Sequence, residues 1–245
     1  VCSTEGPNLI IAGAGTGKTK VLTTRVAHII DNNLAFPSQI LCVTFTNKAA
    51  REMSERVQKL VSQNMEKMPW MGTFHSIGAK IIRNHAEVIG LKQSFTILDK
   101  DDQLSLIKQI IKAENLDQSQ FSPKLIQSKI DHWKNKALNP NDIKSESLDN
   151  LVDEKSLSIY KIYQARLFEI NCLDFGDLLL QCINLFKVPD IHKRYSNNFK
   201  YIHVDEYQDT NAAQYKWLKL LGSQHQNVCC VGDDDQSIYS WRGAE

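Results

Sequence analysis

The sequence predicts an α/β fold in which helices flank a parallel sheet and a mostly α-helical subdomain is inserted into the chain. Three observations predict it. Short apolar runs without polar alternation occur towards both ends of the chain, which is typical of strands buried on both faces. Helical patterns alternate with these runs, as they do around parallel sheets. Between residues 77 and 186, by contrast, almost every segment has helical periodicity.

Five apolar runs are predicted to form the sheet: residues 8–12, 40–44, 70–73, 201–204 and 228–231. The helices predicted between them cover residues 20–30, 48–63 and 212–221. In the middle segment the predicted helices are 77–89, 101–113, 123–136, 157–170 and 175–186, with one additional strand at 95–98. The predicted domains are therefore 1–84 with 174–245 for the α/β core, and 85–173 for the helical insert.

A glycine-rich loop follows the first predicted strand. Glycines allow backbone N–H groups to turn toward a triphosphate, and the next helix offers its positive N-terminal end. Lys18 can reach the outer phosphates, and the Thr19 hydroxyl can bind Mg²⁺. Ala12 stands where the usual pattern has its first glycine, and a flexible turn without function is the alternative. The strand before and the helix after favour a phosphate site, whose predicted residues are Ala12, Gly13, Ala14, Gly15, Thr16, Gly17, Lys18 and Thr19.

A pair of acids ends the predicted strand 201–204. Asp205 supplies the carboxylate that such a loop needs and is predicted to bind Mg²⁺ with Thr19. Glu206 points the other way on an extended backbone and is predicted to deprotonate the attacking water. Together with Lys18, these residues meet the main requirements of phosphoryl transfer. A P-loop nucleotidase that uses ATP and Mg²⁺ is therefore the first hypothesis, and a surface acid pair at a strand end is the alternative.

The composition limits the function classes. Lys and Arg total 29 and Asp and Glu total 28, so the formal net charge is +1 and no global basic surface indicates a nucleic-acid protein. The six cysteines lack metal-binding spacing and are predicted to be buried thiols, and His203 is predicted to be a core residue. No segment is long and apolar enough for a membrane span, so a cytoplasmic protein without a membrane partner is expected. Because the chain begins at Val1 rather than Met, it is expected to be a piece of a longer protein.

Five motifs, taken in order, resemble those of superfamily 1 DNA helicases of the UvrD/Rep/PcrA type. They are AGAGTGKT at 12–19, TFTNKAA at 44–50, GTFHS at 72–76, VDEYQDTN at 204–211 and VGDDDQSIYSWRGA at 231–244. The resemblance continues through residues 172–179, where the family usually has Asp in place of Gly176. It covers essentially the whole chain and implies a RecA-like first domain (1A) interrupted by a helical accessory subdomain (1B).

The resemblance implies an ATP-driven motor that moves 3′ to 5′ on single-stranded DNA and unwinds duplexes in DNA repair or replication restart. The implied partners are single-stranded DNA, 3′-tailed duplex DNA and the C-terminal motor domain of the same protein. By the same resemblance, Gln236 contacts the terminal phosphate or the attacking water. The family places its catalytic arginines and its adenine-stacking aromatic residue in later motifs. Residues 1–245 alone are therefore expected to bind ATP or ADP weakly and to hydrolyse ATP negligibly.

The DNA site can be argued in part from the residues themselves. A single strand bound without sequence preference needs aromatic faces for its bases and polar groups for its backbone. Such side chains follow the predicted strands, at the sheet edge where α/β proteins bind ligands. Core packing is the alternative for any one aromatic residue. The predicted DNA-contacting residues are Phe45, Asn47, His75, Tyr239, Trp241 and Arg242, whereas Phe74, Trp133 and Trp217 are predicted to pack inside.

Other functional hypotheses stay open at this point. One is a helicase fused to a nuclease, which a carboxylate-rich metal site beyond residue 245 would indicate. Another is a nucleotide-gated DNA-binding module, in which ATP acts as a switch and no strands are separated. Binding of DNA without duplex unwinding would indicate that module. An inert structural P-loop protein is disfavoured, because both Mg²⁺ ligands and the candidate base are present.

Overall fold

The computed structural model describes residues 1–13, 15–61, 68–144, 146, 148 and 150–233. They form two compact units. The first contains Val1–Ile77 together with the described residues from Phe186 on, and the second contains Gly78–Leu185. The domains predicted from the sequence, 1–84 with 174–245 and 85–173, stay a proposal.

In chain order, the helices and strands are β1 (Asn8–Ile11), α1 (Lys18–Asp31), β2 (Ile40–Thr44), α2 (Asn47–Leu60), β3 (Met71–Thr73), α3 (Phe74–Asn84), β4 (Thr96–Leu98), α4 (Lys100–Ala113), α5 (Pro123–Asn135), α6 (Leu151–Glu169), β5 (Cys172–Asp174), α7 (Phe175–Leu185), α8 (Pro189–Asn198), β6 (Tyr201–Val204), α9 (Ala212–Leu221) and β7 (Val228–Gly232). No helix in the described part of the chain combines the length and the apolar composition needed to cross a membrane.

Within the described residues, the first unit holds a five-stranded parallel sheet in the order β1-β7-β6-β2-β3. Ile11 lies opposite Gly232, and Val204 lies opposite both Cys230 and Val43. Because the strands run in the same direction, the loops after β1, β2, β6 and β7 all leave from one edge of the sheet. The predicted α/β class with a parallel sheet is confirmed.

Helices α1 and α2 bury apolar side chains against this sheet. Their buried residues recur at three- and four-residue spacing, which forms one apolar face on each helix. Full burial of one Leu, Ile, Val or Met side chain contributes about 1.5–3 kcal/mol. The cluster includes Leu22, Val26, Ile29, Met53 and Val57 from the helices and Ile40, Cys42, Cys229 and Val231 from the strands.

Aromatic residues and cysteines occupy the core largely as the sequence predicts. Phe74 and Trp217 are buried, as predicted. Their rings meet edge to face, with centroids 5.8 Å apart.

The six cysteines are free, and all except Cys2 are buried. Burial, and after it the neighbouring Cys229, raises the pKa of Cys230 to about 12, so this thiol stays protonated. Cys2 differs from the prediction because it lies on the exposed N-terminal segment before β1.

Helices α6 and α3 begin several residues earlier than their apolar patterns indicate, because polar side chains cap them. The Asn150 side chain accepts a hydrogen bond from the Asp153 N–H at 3.1 Å, so α6 begins at Leu151. Thr73 and Ser76 each accept a hydrogen bond from the other's backbone N–H, at 3.1 and 2.9 Å, at the start of α3. The sequence patterns also miss β5 and α8.

In the second unit, α4, α5 and α6 share a buried core. Its two short strands, β4 and β5, pair in parallel. Strand β4 is the additional strand predicted at 95–98, and β5 is its unpredicted partner. The core residues include Ile107, Ile111, Ile126, Ile130, Tyr160, Tyr163 and Leu167, with Trp133 packed against them as predicted.

A buried ion cluster lies in this unit. The Lys134 ammonium is 2.7 Å from Asp174 Oδ2 and 2.9 Å from Asp177 Oδ1, and all three side chains are at most 3% exposed. Tyr163 donates a hydrogen bond to Asp174 at 2.9 Å. Burial alone would lower the pKa of Lys134, but the two carboxylates outweigh burial and raise it. The cluster joins α5 to β5 and the start of α7.

Gly176, in the first turn of α7, lies against this cluster. A Cβ at residue 176 would lie 2.8 Å from Lys134 Cδ and 2.9 Å from Lys134 Cβ. Replacing a helical glycine by alanine ordinarily stabilises a protein by up to about 1 kcal/mol. In this first turn we expect Gly176→Ala to destabilise by about 1–3 kcal/mol, because the new methyl group displaces a buried ion pair. Urea denaturation measures the change, and an unchanged or higher midpoint would contradict it.

Candidate nucleotide site

The candidate site lies where β1, β6 and β7 end. Strand β1 runs into the glycine-rich loop, and α1 begins directly after it. Gly15 and Gly17 have φ values of 73° and 93°, in the left-handed region that favours glycine. A Cβ at Gly15 would meet no atom within 4 Å, so backbone geometry rather than crowding requires glycine there. The glycine-rich loop is thus followed directly by the positive N-terminus of a 14-residue helix.

Lys18 is the first residue of α1, and its side chain folds back onto this loop. Its ammonium donates hydrogen bonds to the carbonyls of Ala12 at 2.7 Å and Gly13 at 3.1 Å. It also forms an ion pair with Asp233 Oδ2 at 3.0 Å, and both side chains are largely buried. Asp233 directly follows β7, the neighbour of β1 in the sheet. The motif pattern contains Asp233 but does not predict this role, because the contact depends on strand order.

Thr19 and Asp205 meet across the same edge. The Thr19 hydroxyl donates to Asp205 Oδ2 at 3.1 Å. Asp205 is 4% exposed, and burial, followed by the charge of Glu206, raises its pKa above the usual range. A hydroxyl and a carboxylate in contact are hard oxygen ligands of the kind that Mg²⁺ prefers. A divalent cation at this position would offset the cost of holding a buried carboxylate ionised. These donor atoms therefore fit Mg²⁺.

Glu206 differs from its predicted geometry. Its backbone is left-handed, with φ 54° and ψ 46°, whereas the sequence predicts an extended backbone with oppositely directed acids. Asp205 and Glu206 both line one cavity, of about 380 Å³. A left-handed backbone at a residue other than glycine costs about 1–3 kcal/mol and is concentrated at functional sites. The Glu206 carboxylate accepts a hydrogen bond from Gln208 Nε2 at 2.7 Å.

A second cavity, of about 300 Å³, lies over the glycine-rich loop. Gly13, Lys18, Thr19 and Glu206 are among the residues that line it. Arg56 of α2 lines both cavities, and sequence reasoning missed it. In the sequence it is one basic residue on a helix with several charges, which does not distinguish it from surface residues. An arginine at this position is suited to phosphate oxygens.

Three of the predicted DNA-contacting residues lie at the ends of two neighbouring strands. Phe45 and Asn47 follow β2, and His75 lies just after β3. Asn47 is exposed, whereas Phe45 and His75 are half-buried. The Phe45 ring meets the Phe74 ring edge to face at 5.5 Å, so part of its surface is used for packing. Further predicted site residues lie outside the described part of the chain: Ala14, Gln236, Tyr239, Trp241 and Arg242.

His203 lies in β6 and belongs to the core, as predicted. It is 1% exposed, and burial, followed by the charge of Arg25, lowers its pKa to about 3. The ring is therefore neutral at ordinary pH. Arg25 itself is buried and donates to the backbone carbonyls of Ser3 and Thr4, which ties the N-terminal segment to α1.

The family of the chain follows from comparison with known proteins. The family model of the UvrD/REP helicase N-terminal domain matches residues 1–245. The chain belongs to this family. As a member of the UvrD/REP helicase N-terminal domain family, it has the glycine-rich loop and the acid pair at the sheet edge described above.

Three relatives of known name are similar over essentially the whole chain. The chain is 50% identical to ATP-dependent DNA helicase PcrA of Staphylococcus aureus (strain NCTC 8325 / PS 47), over 100% of the chain and 33% of that protein. It is 52% identical to DNA helicase II of Rickettsia typhi, over 99% of the chain and 37% of that protein. It is 49% identical to the probable DNA helicase II homolog of Rickettsia felis, over 100% of the chain and 38% of that protein. The chain thus spans about a third of the length of these relatives.

Proposed function

We propose that the chain is the N-terminal ATP-binding portion of an ATP-dependent DNA helicase that moves 3′ to 5′ on single-stranded DNA and unwinds duplexes in repair or replication restart. The observation that carries this proposal is the meeting of Lys18, Thr19, Asp205 and Glu206 at one sheet edge. The names of the relatives, which are DNA helicases, support the choice of substrate.

The residues divide the chemistry between them. Lys18 exchanges Asp233 for the outer phosphates, and the N-terminus of α1 adds its positive end. Thr19 and Asp205 hold Mg²⁺, which supplies positive charge to the phosphate oxygens. Glu206 orients the attacking water and accepts its proton. Arg56, which lines both cavities, is placed to contact the same phosphates.

The DNA side of the proposal concerns the loops after the strands. Phe45, His75, Tyr239 and Trp241 stack on bases, and each such stack contributes about 1–3 kcal/mol. Asn47 and Arg242 bind the strand backbone, and Gln236 contacts the terminal phosphate or attacking water. The partners are single-stranded DNA, 3′-tailed duplex DNA and the C-terminal motor domain of the same protein.

Unwinding by the full-length protein tests this function. We expect it to hydrolyse ATP in response to DNA and to separate a duplex with a 3′ tail. Lys18→Ala is expected to abolish both activities, because it removes the cation for the phosphates and leaves the buried Asp233 without this lysine. Lys108→Ala, an exposed position on α4, is the matched control. DNA binding that depends on ATP but proceeds without unwinding would favour the nucleotide-gated module instead.

A further inference from the structure

Gln208 connects two parts of the candidate site that lie on different strands. It sits in the short turn Tyr207–Asp209 after β6. Its Nε2 donates to Glu206 Oε2 at 2.7 Å, and its Oε1 accepts from the Asp233 backbone N–H at 3.1 Å. The neighbouring Asp233 carboxylate forms the ion pair with Lys18. One amide thus connects Glu206, through Asp233, to the phosphate lysine.

The chemistry of this position favours an amide. Only a side chain with both a donor and an acceptor can serve Glu206 and the Asp233 N–H together. A carboxylate has no donor for Glu206, and an apolar side chain has neither group. Gly232 makes the approach possible, because a Cβ there would lie 2.9 Å from Gln208 Oε1. The glycine at residue 232 therefore leaves room for the Gln208 amide at the end of β7.

We propose that Gln208 is a positioning residue for ATP hydrolysis, whose side-chain amide holds the Glu206 carboxylate in a fixed place relative to the Asp233 backbone at the end of β7. This proposal rests on the proposed function, in which Glu206 activates water. Gln208 acts through Glu206, so its loss should affect turnover more than nucleotide binding. Misplacing a reacting group by about 1 Å lowers a rate by about 100-fold.

Two substitutions in the full-length protein separate the two hydrogen bonds. Gln208→Glu keeps an acceptor for Asp233 but removes the donor to Glu206, whereas Gln208→Met removes both. We expect kcat for ATP hydrolysis to fall about 10- to 100-fold in both variants, with KM for ATP within about threefold. Gln58→Glu, on the exposed face of α2, makes the same charge change as a control. A kcat within about twofold of wild type in Gln208→Glu would overturn the proposal.

Hydrogen exchange of the Asp233 amide, measured in the nucleotide-free protein, gives a readout that does not depend on turnover. Exchange should become faster in Gln208→Met and stay close to wild type in Gln208→Glu. Equal exchange rates in wild type and Gln208→Met would contradict the bridging amide.

A double-mutant cycle then tests the coupling between Gln208 and Glu206. In a Glu206→Gln background, Gln208→Glu should lower the residual rate of ATP hydrolysis no further. If Glu206→Gln alone retains turnover, the proposed base is refuted. If Glu206→Gln loses turnover but Gln208→Glu turns over normally, only the role of Gln208 is refuted.

Discussion

Glu206→Gln is expected to lower kcat for ATP hydrolysis by the full-length protein about 10²- to 10⁴-fold, which is the usual contribution of a general base. The amide keeps the size of the side chain but cannot accept the proton of water. Nucleotide affinity is expected to stay within about threefold, because Lys18, Thr19 and Asp205 are unchanged. Steady-state hydrolysis with and without DNA measures kcat, and equilibrium binding of a fluorescent ATP analogue measures affinity.

The expected loss of kcat should come from the Glu206 carboxylate itself. Glu206 has a left-handed backbone and lines the cavity that Asp205 also lines, while Asp205 itself is assigned to Mg²⁺ in the proposed function. Glu87→Gln, an exposed position outside the candidate site, makes the same chemical change as a control. Hydrolysis at more than about a tenth of the wild-type rate in Glu206→Gln would show that another group takes the proton.

Lys134→Met is expected to destabilise the second unit by about 3–5 kcal/mol. Methionine keeps most of the apolar stem but removes the ammonium, which lies 2.7 Å from Asp174 and 2.9 Å from Asp177. The variant therefore leaves two carboxylates buried without their cation. Burial already raises the pKa of Asp177, with the charge of Asp174 as the next cause. Urea denaturation of wild type and variant measures the loss in free energy of unfolding.

The pH dependence distinguishes this electrostatic cause from lost packing. Burial raises the pKa of both carboxyls and Lys134 lowers it, so without the ammonium we expect both folded-state pKa values to lie above the unfolded values. The folded variant then binds more protons than the unfolded chain, so its stability falls as pH rises through that range. The destabilisation should accordingly be smaller at about pH 5 than at about pH 8. A loss in free energy of unfolding that is independent of pH would assign the effect to packing. A triple variant that adds Asp174→Asn and Asp177→Asn to Lys134→Met should regain stability, because it no longer buries unpaired carboxylates.

The fold was predictable where one local pattern determined each element. The strands of the sheet are apolar on both faces, and α1 and α2 have regular apolar stripes, so both kinds of element are visible in the sequence. Helix α8 is different, because only Ile191, Tyr195 and Ser196 are buried in ten mainly polar residues. Strand β5 has three residues and is defined by its pairing with β4, which no local pattern reveals.

The place of a site residue was predictable where a contiguous motif follows a strand. Lys18, Thr19 and Asp205 are of this kind, and their roles stay a prediction. The contacts made by Asp233 and Gln208 depend on β7 lying between β1 and β6, and strand order is not encoded in any one segment. The backbone of Glu206 was also not predictable, since left-handed geometry at a glutamate runs against its local preference.

The separation of the site residues along the chain links ligand binding to folding. Thr19 and Asp205 are 186 residues apart in sequence, and Lys18 and Asp233 are 215 apart. An unfolded chain cannot bring these groups together, so a nucleotide bound at this edge binds the folded state alone. At about 100 times its Kd, such a ligand adds about 2.7 kcal/mol to the free energy of unfolding. The cell's nucleotide pool would thereby act as a stabilising agent for the first unit, and loss of ligand would make that unit easier to unfold and degrade.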